Sequence, residues 1–427
     1  MSLFLGIDVG TSGCRAVVID GAENLIATSS VDLPTPVRHG TSVSQQPRLW
    51  WQACRQCIAS LANKISLADI KGLAIDATSA TVLITDKHGN PLTDALMYND
   101  SRATEEAQRL NPIVSPESPC RGAQASLAKA VWLLTRYPQA EYILHQADWL
   151  SGMFLGSWEN TDSNNVLKLG YDIVAEQWPD WMCDIDTRVS DLLCRMKINA
   201  PGTPLGTINA HTAVETGLAP DTVIYAGTTD STAAFIASGA QHCGDAMTSL
   251  GSTLVIKIIT DTPIFDSARG VYSHRLGDLW LTGGASNSGG AVLKQYFDAD
   301  TISKLSVEID ASSPSQFNYY PLCEKGERFP INDPQHAPAI TPRPNSDAEF
   351  LHGLLEGIAN IEHQGYTLLH ELGAPYPETI RTVGKGAGNT TWSRIRKRLL
   401  CTTLLEATQT EAAYGSALLA KRGYNSD

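Results

Sequence analysis

The stretch Leu5-Gly6-Ile7-Asp8-Val9-Gly10-Thr11-Ser12-Gly13-Cys14-Arg15-Ala16-Val17-Val18-Ile19-Asp20 constrains the fold more than any other. Apolar residues flank a glycine-rich turn, a pattern that predicts two tightly joined strands. A turn with Gly10 and Gly13 can adopt backbone angles closed to other residues. Such a turn also lets backbone N–H groups approach an anion, with Thr11 and Ser12 adding hydroxyl donors. Asp8 stands at its mouth, where a carboxylate is suited to hold a divalent cation against a phosphate. An ordinary N-terminal hairpin accounts for the same residues, so the rest of the chain has to decide.

The chain has 427 residues, more than one core usually serves, and two domains are expected. The net charge is −13 without any block of Lys or Arg, which argues against a nucleic-acid partner or an anionic membrane. A phosphate ligand remains compatible, because backbone N–H groups and a metal bind it without net positive charge. No apolar run approaches the roughly 18 residues that span a bilayer. The run Leu3 to Ile7 is too short for a signal peptide, so a cytoplasmic address is expected. Nine scattered cysteines predict free thiols rather than a disulfide framework. Cys54 and Cys57 share a helix face with Trp50 and Leu61, which predicts core positions. No second Cys or His pair completes a zinc site, and no His-Glu-x-x-His occurs.

Along the chain, strands and helices alternate, which predicts an α/β protein. Asn24–Thr28, Ile70–Ser79 and Ala80–Asp86 read as strands, and Trp50–Leu61 as a helix. Met97-Tyr98-Asn99-Asp100-Ser101-Arg102 gathers amide, carboxylate and guanidinium groups suited to a polyhydroxy ligand; a solvated loop is the alternative. Helices are expected around Ser126–Leu134 and Ala147–Gly152, with a polar loop at Thr161–Asn165. Strand Thr222–Gly227 runs into Thr228-Thr229-Asp230, and a small-residue helix Ala233–Ala240 marks the hinge. The second half opens with an echo of the first turn, Ser249-Leu250-Gly251-Ser252-Thr253-Leu254. Two further glycine-rich loops follow. One is Thr282-Gly283-Gly284-Ala285-Ser286-Asn287-Ser288-Gly289-Gly290. The other is Gly384-Lys385-Gly386-Ala387-Gly388-Asn389-Thr390-Thr391-Trp392, entering a helix near Ser393, a setting that favours a nucleotide base or phosphate. A helix over Glu411–Ala420 closes the chain.

In this order, the pieces resemble the FGGY carbohydrate kinases, within the fold group of actin, sugar kinases and heat-shock chaperones. The resemblance rests on Gly6-Ile7-Asp8-Val9-Gly10-Thr11-Ser12, Asn99-Asp100-x-Arg102, Ser126-x-x-Lys129-x-x-Trp132 and Gly227-Thr228-Thr229-Asp230. It continues through Gly251-Ser252-Thr253, Gly283-Gly284-Ala285, Gly326-Glu327-Arg328 and Gly386-Ala387-x-Asn389. It implies two ribonuclease-H-like (actin-like ATPase) domains flanking a deep cleft, a sugar-binding domain over 1–237 and a nucleotide-binding domain over 238–427. Residues 411–427 are expected to pack back on the first. By resemblance, Asp230 is the general base and Asp8 serves the Mg–ATP phosphates, with Asp8 and Asp230 as Mg²⁺ ligands. Gly10, Thr11, Ser12, Gly13, Gly251, Ser252 and Thr253 are expected at the phosphates. Gly283, Gly284, Asn287, Gly386, Ala387, Asn389 and Trp392 are expected at the adenosine. Thr78, Ser79, Asn99, Asp100, Arg102 and Asp230 are expected at the sugar. The expected partners are a small sugar and ATP, on a monomer or homodimer. The Gly-x-x-x-x-Gly-Lys-Ser/Thr run, the His-Arg-Asp loop and Asp-Phe-Gly of other kinases are absent.

The family's xylulose kinases carry Gln-Met-His-Gly where this chain reads Asp76-Ala77-Thr78-Ser79. That run, with Tyr98-Asn99-Asp100, is more similar to the short ribulose kinases of cyanobacteria and plants. The expected reaction is therefore ATP-dependent phosphorylation of D-ribulose, with D-xylulose or another sugar or polyol as alternative acceptor. A chaperone-like or non-catalytic ATPase of the same fold is a third reading. Lys385 stands where the family usually has glycine.

Overall fold

The computed structural model describes residues 2–426. The chain divides into two compact units, one carrying residues up to Ala237 and again from Glu411, the other Ser238–Thr410.

The first unit is built on strands β1 (Leu3–Val9), β2 (Gly13–Asp20), β3 (Leu25–Asp32), β4 (Ile70–Ala77), β5 (Pro204–Thr207) and β6 (Val223–Thr229). Their order is β5-β6-β4-β1-β2-β3. β1 to β3 run antiparallel, while β4 lies parallel to β1 and β6 parallel to β4. Every residue of β1 is buried, as expected for a central strand covered on both faces. One cover is helix α1 (Pro47–Leu61), whose Trp50, Cys54, Cys57 and Leu61 are all buried. Large apolar side chains placed so contribute about 1.5–3 kcal/mol each. The Cys54 thiol lies 3.9 Å from that of Cys14, and both are free thiols. On the other face lies the C-terminal helix Ala412–Ser426. It approaches β1 so closely that a Cβ on Gly6 would stand 1.9 Å from the Ala413 carbonyl oxygen. Helices α2 (Ser126–Arg136), α3 (Gln146–Leu155) and α4 (Asp230–Ala237) complete the parts of this unit used below. α2 and α3 are pinned by a buried chain in which Ser126 Oγ meets His145 Nε2 at 2.9 Å and His145 Nδ1 meets Asp148 Oδ2 at 3.2 Å.

The second unit repeats the plan with β7 (Asp245–Leu250), β8 (Leu254–Thr260), β9 (Tyr272–Leu276), β10 (Leu279–Ser286), β11 (Thr379–Val383) and β12 (Thr403–Glu406), ordered β9-β10-β8-β7-β11-β12. Its first hairpin again abuts a parallel strand. Helices α5 (Gly290–Tyr296), α6 (Ala299–Glu308), α7 (Asp347–Glu371) and α8 (Thr390–Leu400) accompany the sheet. Each unit is thus a mixed α/β layer. Among the described residues no helix is long and apolar enough to cross a membrane.

Three local expectations are corrected. Thr161–Asn165, expected as a polar loop, is a buried segment that begins in a strand, Asn160–Asp162, and continues as a turn. Asp162 makes burial possible by accepting the N–H groups of Asn164 and Asn165 at 2.9 and 3.0 Å. Gly283 and Gly284 lie inside β10 rather than in a loop. α8 begins at Thr390, three residues before the expected start, because Asn389 Oδ1 caps it by accepting the Trp392 N–H at 2.9 Å.

Candidate functional site

In the first unit three carboxylates come together from three elements. Asp8 lies near the end of β1, in register with Asp76 of β4 and with Arg15 of β2. Asp230 is the first residue of α4, reached directly from β6. Asp8 is 6% exposed, and its cationic neighbour Arg15, at 3.5 Å, is itself half exposed and shared with Glu411. Burial first, then the field of Asp230, pushes the Asp8 carboxyl above its ordinary range. Burial and the field of Asp8 push fully buried Asp76 up as well. Asp76 Oδ2 accepts Ser416 Oγ–H from the C-terminal helix at 2.6 Å, and the Asp76 and Asp8 carboxyls share a hydrogen bond in which the raised Asp76 carboxyl keeps the proton. Asp230 Oδ1 accepts the Ser231 N–H at 2.6 Å. Like charges held in low dielectric are unfavourable, so this corner attracts cations or protons. Sequence reading listed Asp8 and Asp230 but passed over Asp76 as a strand residue.

The turn before β2 is closed by the Gly10 N–H to the Gly13 carbonyl at 3.0 Å. Its Ser12 side is exposed, while Thr11 and Gly13 are half-buried. Among the described residues no group of three or more His, Cys, Asp or Glu is arranged to hold a metal unaided. The carboxylate pair Asp8 and Asp230 fits a hard divalent ion that takes its remaining ligands from phosphate and water.

Beyond β4, Thr78 and Thr81 pair their hydroxyls at 2.6 Å, and Ser79 is half-buried between them. Ala80 follows with φ 66°, a left-handed conformation unusual for a residue with a Cβ. Its carbonyl accepts Lys129 Nζ at 2.6 Å, and the same ammonium reaches the Met97 carbonyl at 3.0 Å. Burial pushes the Lys129 amine down to about 7. Lys129 thereby ties the Thr78–Thr81 turn to the Met97–Arg102 segment.

The structure revises the expectation for Asp100. This carboxylate is fully buried, and Arg102 binds it through Nε at 3.0 and 2.9 Å and through Nη2 at 2.7 Å. The Val43 N–H and the Arg102 N–H also donate to it. Both Asp100 oxygens are engaged in holding the loop, and Arg102 lies against the Trp132 ring at 5.1 Å. Asn99, in contrast, keeps a buried Oδ1 with no partner.

In the second unit a cavity of about 640 Å³ opens beside the echoed turn, within the size range of small-ligand pockets. Gly251 and Ser252 form one wall, and the Gly384–Trp392 segment another. The Gly290 N–H donates to the Gly251 carbonyl at 2.9 Å, so the turn rests on the start of α5. Gly384 has φ 87°, and a Cβ there would stand 2.7 Å from the Leu250 carbonyl oxygen. Trp392 is 2% exposed, and its indole Nε1–H has no partner. Leu293, Ile302 and Val307 add apolar walls, with Lys294 and Lys385 at the cavity's edge. Lys294, Ile302 and Val307 escaped sequence reading because they sit on helices without any motif. An apolar slot with backbone N–H groups and two ammonium groups suits a purine carrying phosphates.

Several expected nucleotide residues lie outside that cavity. Thr253 and Ala387 do not line it. Gly283 and Gly284 are packed within the sheet; the Cβ of a residue at 284 would meet the Phe329 ring at 2.3 Å. Asn287 is bound into a knot, its N–H donating to Glu327 Oε1 at 2.7 Å and its Oδ1 accepting Arg328 Nε at 2.7 Å. Asn389 lines the cavity, yet its amide also caps α8 and donates to Ser306 Oγ at 2.8 Å.

Comparison with known proteins matches two family domains along the sequence, the second of which includes the C-terminal helix that packs in the first unit. The N-terminal domain model of the FGGY family of carbohydrate kinases matches residues 3–237, and its C-terminal domain model matches residues 246–424. A xylulose kinase of Escherichia coli is 23% identical over 413 residues, covering 92% of this chain and 84% of the relative. A solved structure from Brucella ovis, described as a xyloylose kinase, superposes with a TM-score of 0.88 at 22% identity, covering 100% of this chain and 91% of that one. A Plasmodium falciparum glycerol kinase with ADP superposes with a TM-score of 0.84 at 18% identity, covering 100% and 90%. At these identities the structural likeness is one of fold.

Proposed function

Because this chain belongs to the FGGY family of carbohydrate kinases, an ATP-dependent family that uses a divalent metal, we propose that its acceptor is a ketopentose, D-xylulose first and D-ribulose second. This order reverses the one expected from Asp76-Ala77-Thr78-Ser79, because the curated xylulose kinases align along nearly the whole chain. The observation that carries the reading is the carboxylate corner, where buried Asp8 and Asp76 and half-buried Asp230 raise one another's affinity for a cation or proton beside the partly exposed Gly10–Gly13 turn.

In the proposed division of labour the first unit handles the sugar and the second the nucleotide. Asp230 accepts the proton of the attacking hydroxyl; a base in that role is worth about 10²–10⁴-fold. Thr78, Ser79 and Asn99 orient the sugar. Arg102 acts through Asp100 by fixing the loop that carries Asn99. Asp8 and Asp230 would hold the divalent ion, proposed as Mg²⁺, which would supply charge neutralisation to the transferred group. The turns at Gly10–Gly13 and Gly251–Thr253 position phosphates through N–H groups and hydroxyls. Gly386, Trp392 and the apolar wall receive the adenosine.

A coupled ADP-release assay over ketoses and polyols tests the acceptor. The highest kcat/KM is expected with D-xylulose, followed by D-ribulose. Silence with both, accompanied by turnover of glycerol or a hexulose, would overturn the assignment.

A further inference from the structure

We infer that Gln146 is a specificity-determining contact for the acceptor, its side-chain N–H₂ donating to an oxygen of the sugar; the inference rests on the kinase reading above. Gln146 is fully buried at the start of α3. Its backbone N–H goes to the Thr81 carbonyl at 3.2 Å. Its side-chain Oε1 accepts both the Thr78 hydroxyl at 2.6 Å and the Thr78 backbone N–H at 3.3 Å. A backbone N–H can only donate, so Oε1 must face Thr78 and the amide cannot be turned around. Nε2, with two hydrogens, therefore points elsewhere, and it has no partner. Buried donors without partners are rare in folded proteins and call for an explanation.

The hydroxyls around it form a one-way chain. The Tyr98 N–H donates to Thr81 Oγ1 at 3.0 Å, the Thr81 and Thr78 hydroxyls pair, and Thr78 donates to Gln146. With the Thr78 proton directed to Gln146, the Thr81 hydroxyl must donate to Thr78. The chain ends on the amide oxygen and fixes the amide plane before any ligand arrives. The same chain links the segment carrying Asn99 to the turn that follows Asp76. Asn99 holds the complementary orphan, the acceptor Oδ1. A polyhydroxy ligand satisfies both kinds of orphan, since each hydroxyl donates one hydrogen bond and accepts others. An apolar ligand satisfies neither kind, and an anion cannot answer the acceptor.

The test uses the full-length enzyme with Gln146→Glu and Gln146→Met. Gln146→Glu keeps an oxygen for both Thr78 donors and removes the N–H₂; Gln146→Met keeps the volume and removes both functions. Melting curves check that each variant folds. Sugar binding without nucleotide is measured by calorimetry, and KM for sugar and for ATP is measured separately. The expected result is a rise of roughly tenfold or more in sugar Kd and KM, with the ATP KM within about twofold of wild type. The ratio of kcat/KM between D-xylulose and D-ribulose, which differ at one hydroxyl centre, should also fall toward one. A folded variant with wild-type sugar KM and an unchanged ratio overturns the inference alone. A wild-type enzyme that turns over no ketose or polyol overturns the kinase reading and this inference together. Should Gln146→Glu not fold, the Gln146→Met result decides by the same criteria.

Discussion

Replacing Arg396 by methionine probes the groups that hold the walls of the nucleotide cavity. Arg396 on α8 and Glu362 on α7 are both fully buried and meet as a fork, Nε to Oε2 at 2.7 Å and Nη2 to Oε1 at 2.8 Å. Arg396 Nη1 also donates to Thr382 Oγ1 of β11 at 2.8 Å, and Glu362 Oε1 accepts the Thr248 hydroxyl of β7 at 2.5 Å. The pair therefore joins two helices to the strands that lead into Gly251 and Gly384. Methionine nearly fills the space but leaves the Glu362 carboxylate with the Thr248 hydroxyl as its donor. An uncompensated buried charge of this kind costs about 3–5 kcal/mol. Removing the charge as well, in Arg396→Met/Glu362→Leu, should recover part of the loss. The hydroxyls of Thr248 and Thr382 lose partners there, at roughly 1–3 kcal/mol each, while Thr248 keeps Tyr366 at 2.9 Å. The double variant should thus lie between the single variant and wild type. Urea unfolding at pH 7, followed by circular dichroism, supplies the three free energies. A single variant within about 1 kcal/mol of wild type, or a double variant less stable than the single, would refute the reasoning.

Two further predictions concern charge in the first unit. Asp230→Ala should abolish phosphoryl transfer while sugar binding stays measurable by calorimetry; retained turnover would remove Asp230 from the role of base. Burial, then the field of Asp148, pushes the Asp162 carboxyl up to about 6. Between its unfolded value near 4 and that figure, the native chain keeps a proton that the unfolded chain releases, so stability falls as pH rises through the window. Asp162→Asn retains an oxygen for the N–H groups of Asn164 and Asn165 and removes the titration. It should flatten the dependence of Tm on pH between 4 and 6 and stabilise the protein at pH 7 by about 1–3 kcal/mol. A wild-type-minus-variant difference that does not change with pH would speak against a buried titrating carboxyl.

What was legible in the sequence was whatever a local pattern carries. β1 and β4 read as apolar runs because a central parallel strand is buried on both faces. The stripe of α1 read correctly because helical periodicity names a face. The misreadings have tertiary causes. Gly283 and Gly284 looked like a loop, yet the volume their missing Cβ atoms leave is taken by Ile256 and Lys257 of β8 and by Phe329. Gln146 and Thr78 are 68 residues apart, and Ser416 and Asp76 are 340 apart, so neither pairing leaves a local trace.

The two aspartates Asp76 and Asp100 show why residue type alone could not finish the site. By composition Asp100 is the better candidate, standing among Asn99, Arg102 and Tyr98. Folding closes Arg102 and two backbone N–H groups around it, and a carboxylate so surrounded has little capacity left for a ligand. Asp76 sits in an apolar strand and looks structural, yet folding gives it one hydroxyl donor and sets its carboxyl against that of Asp8, coupling the two. A sequence lists the polar groups a chain owns, whereas a site is made of those that the fold has not already engaged. That difference becomes visible when every donor is matched to an acceptor, and the same matching singles out Gln146.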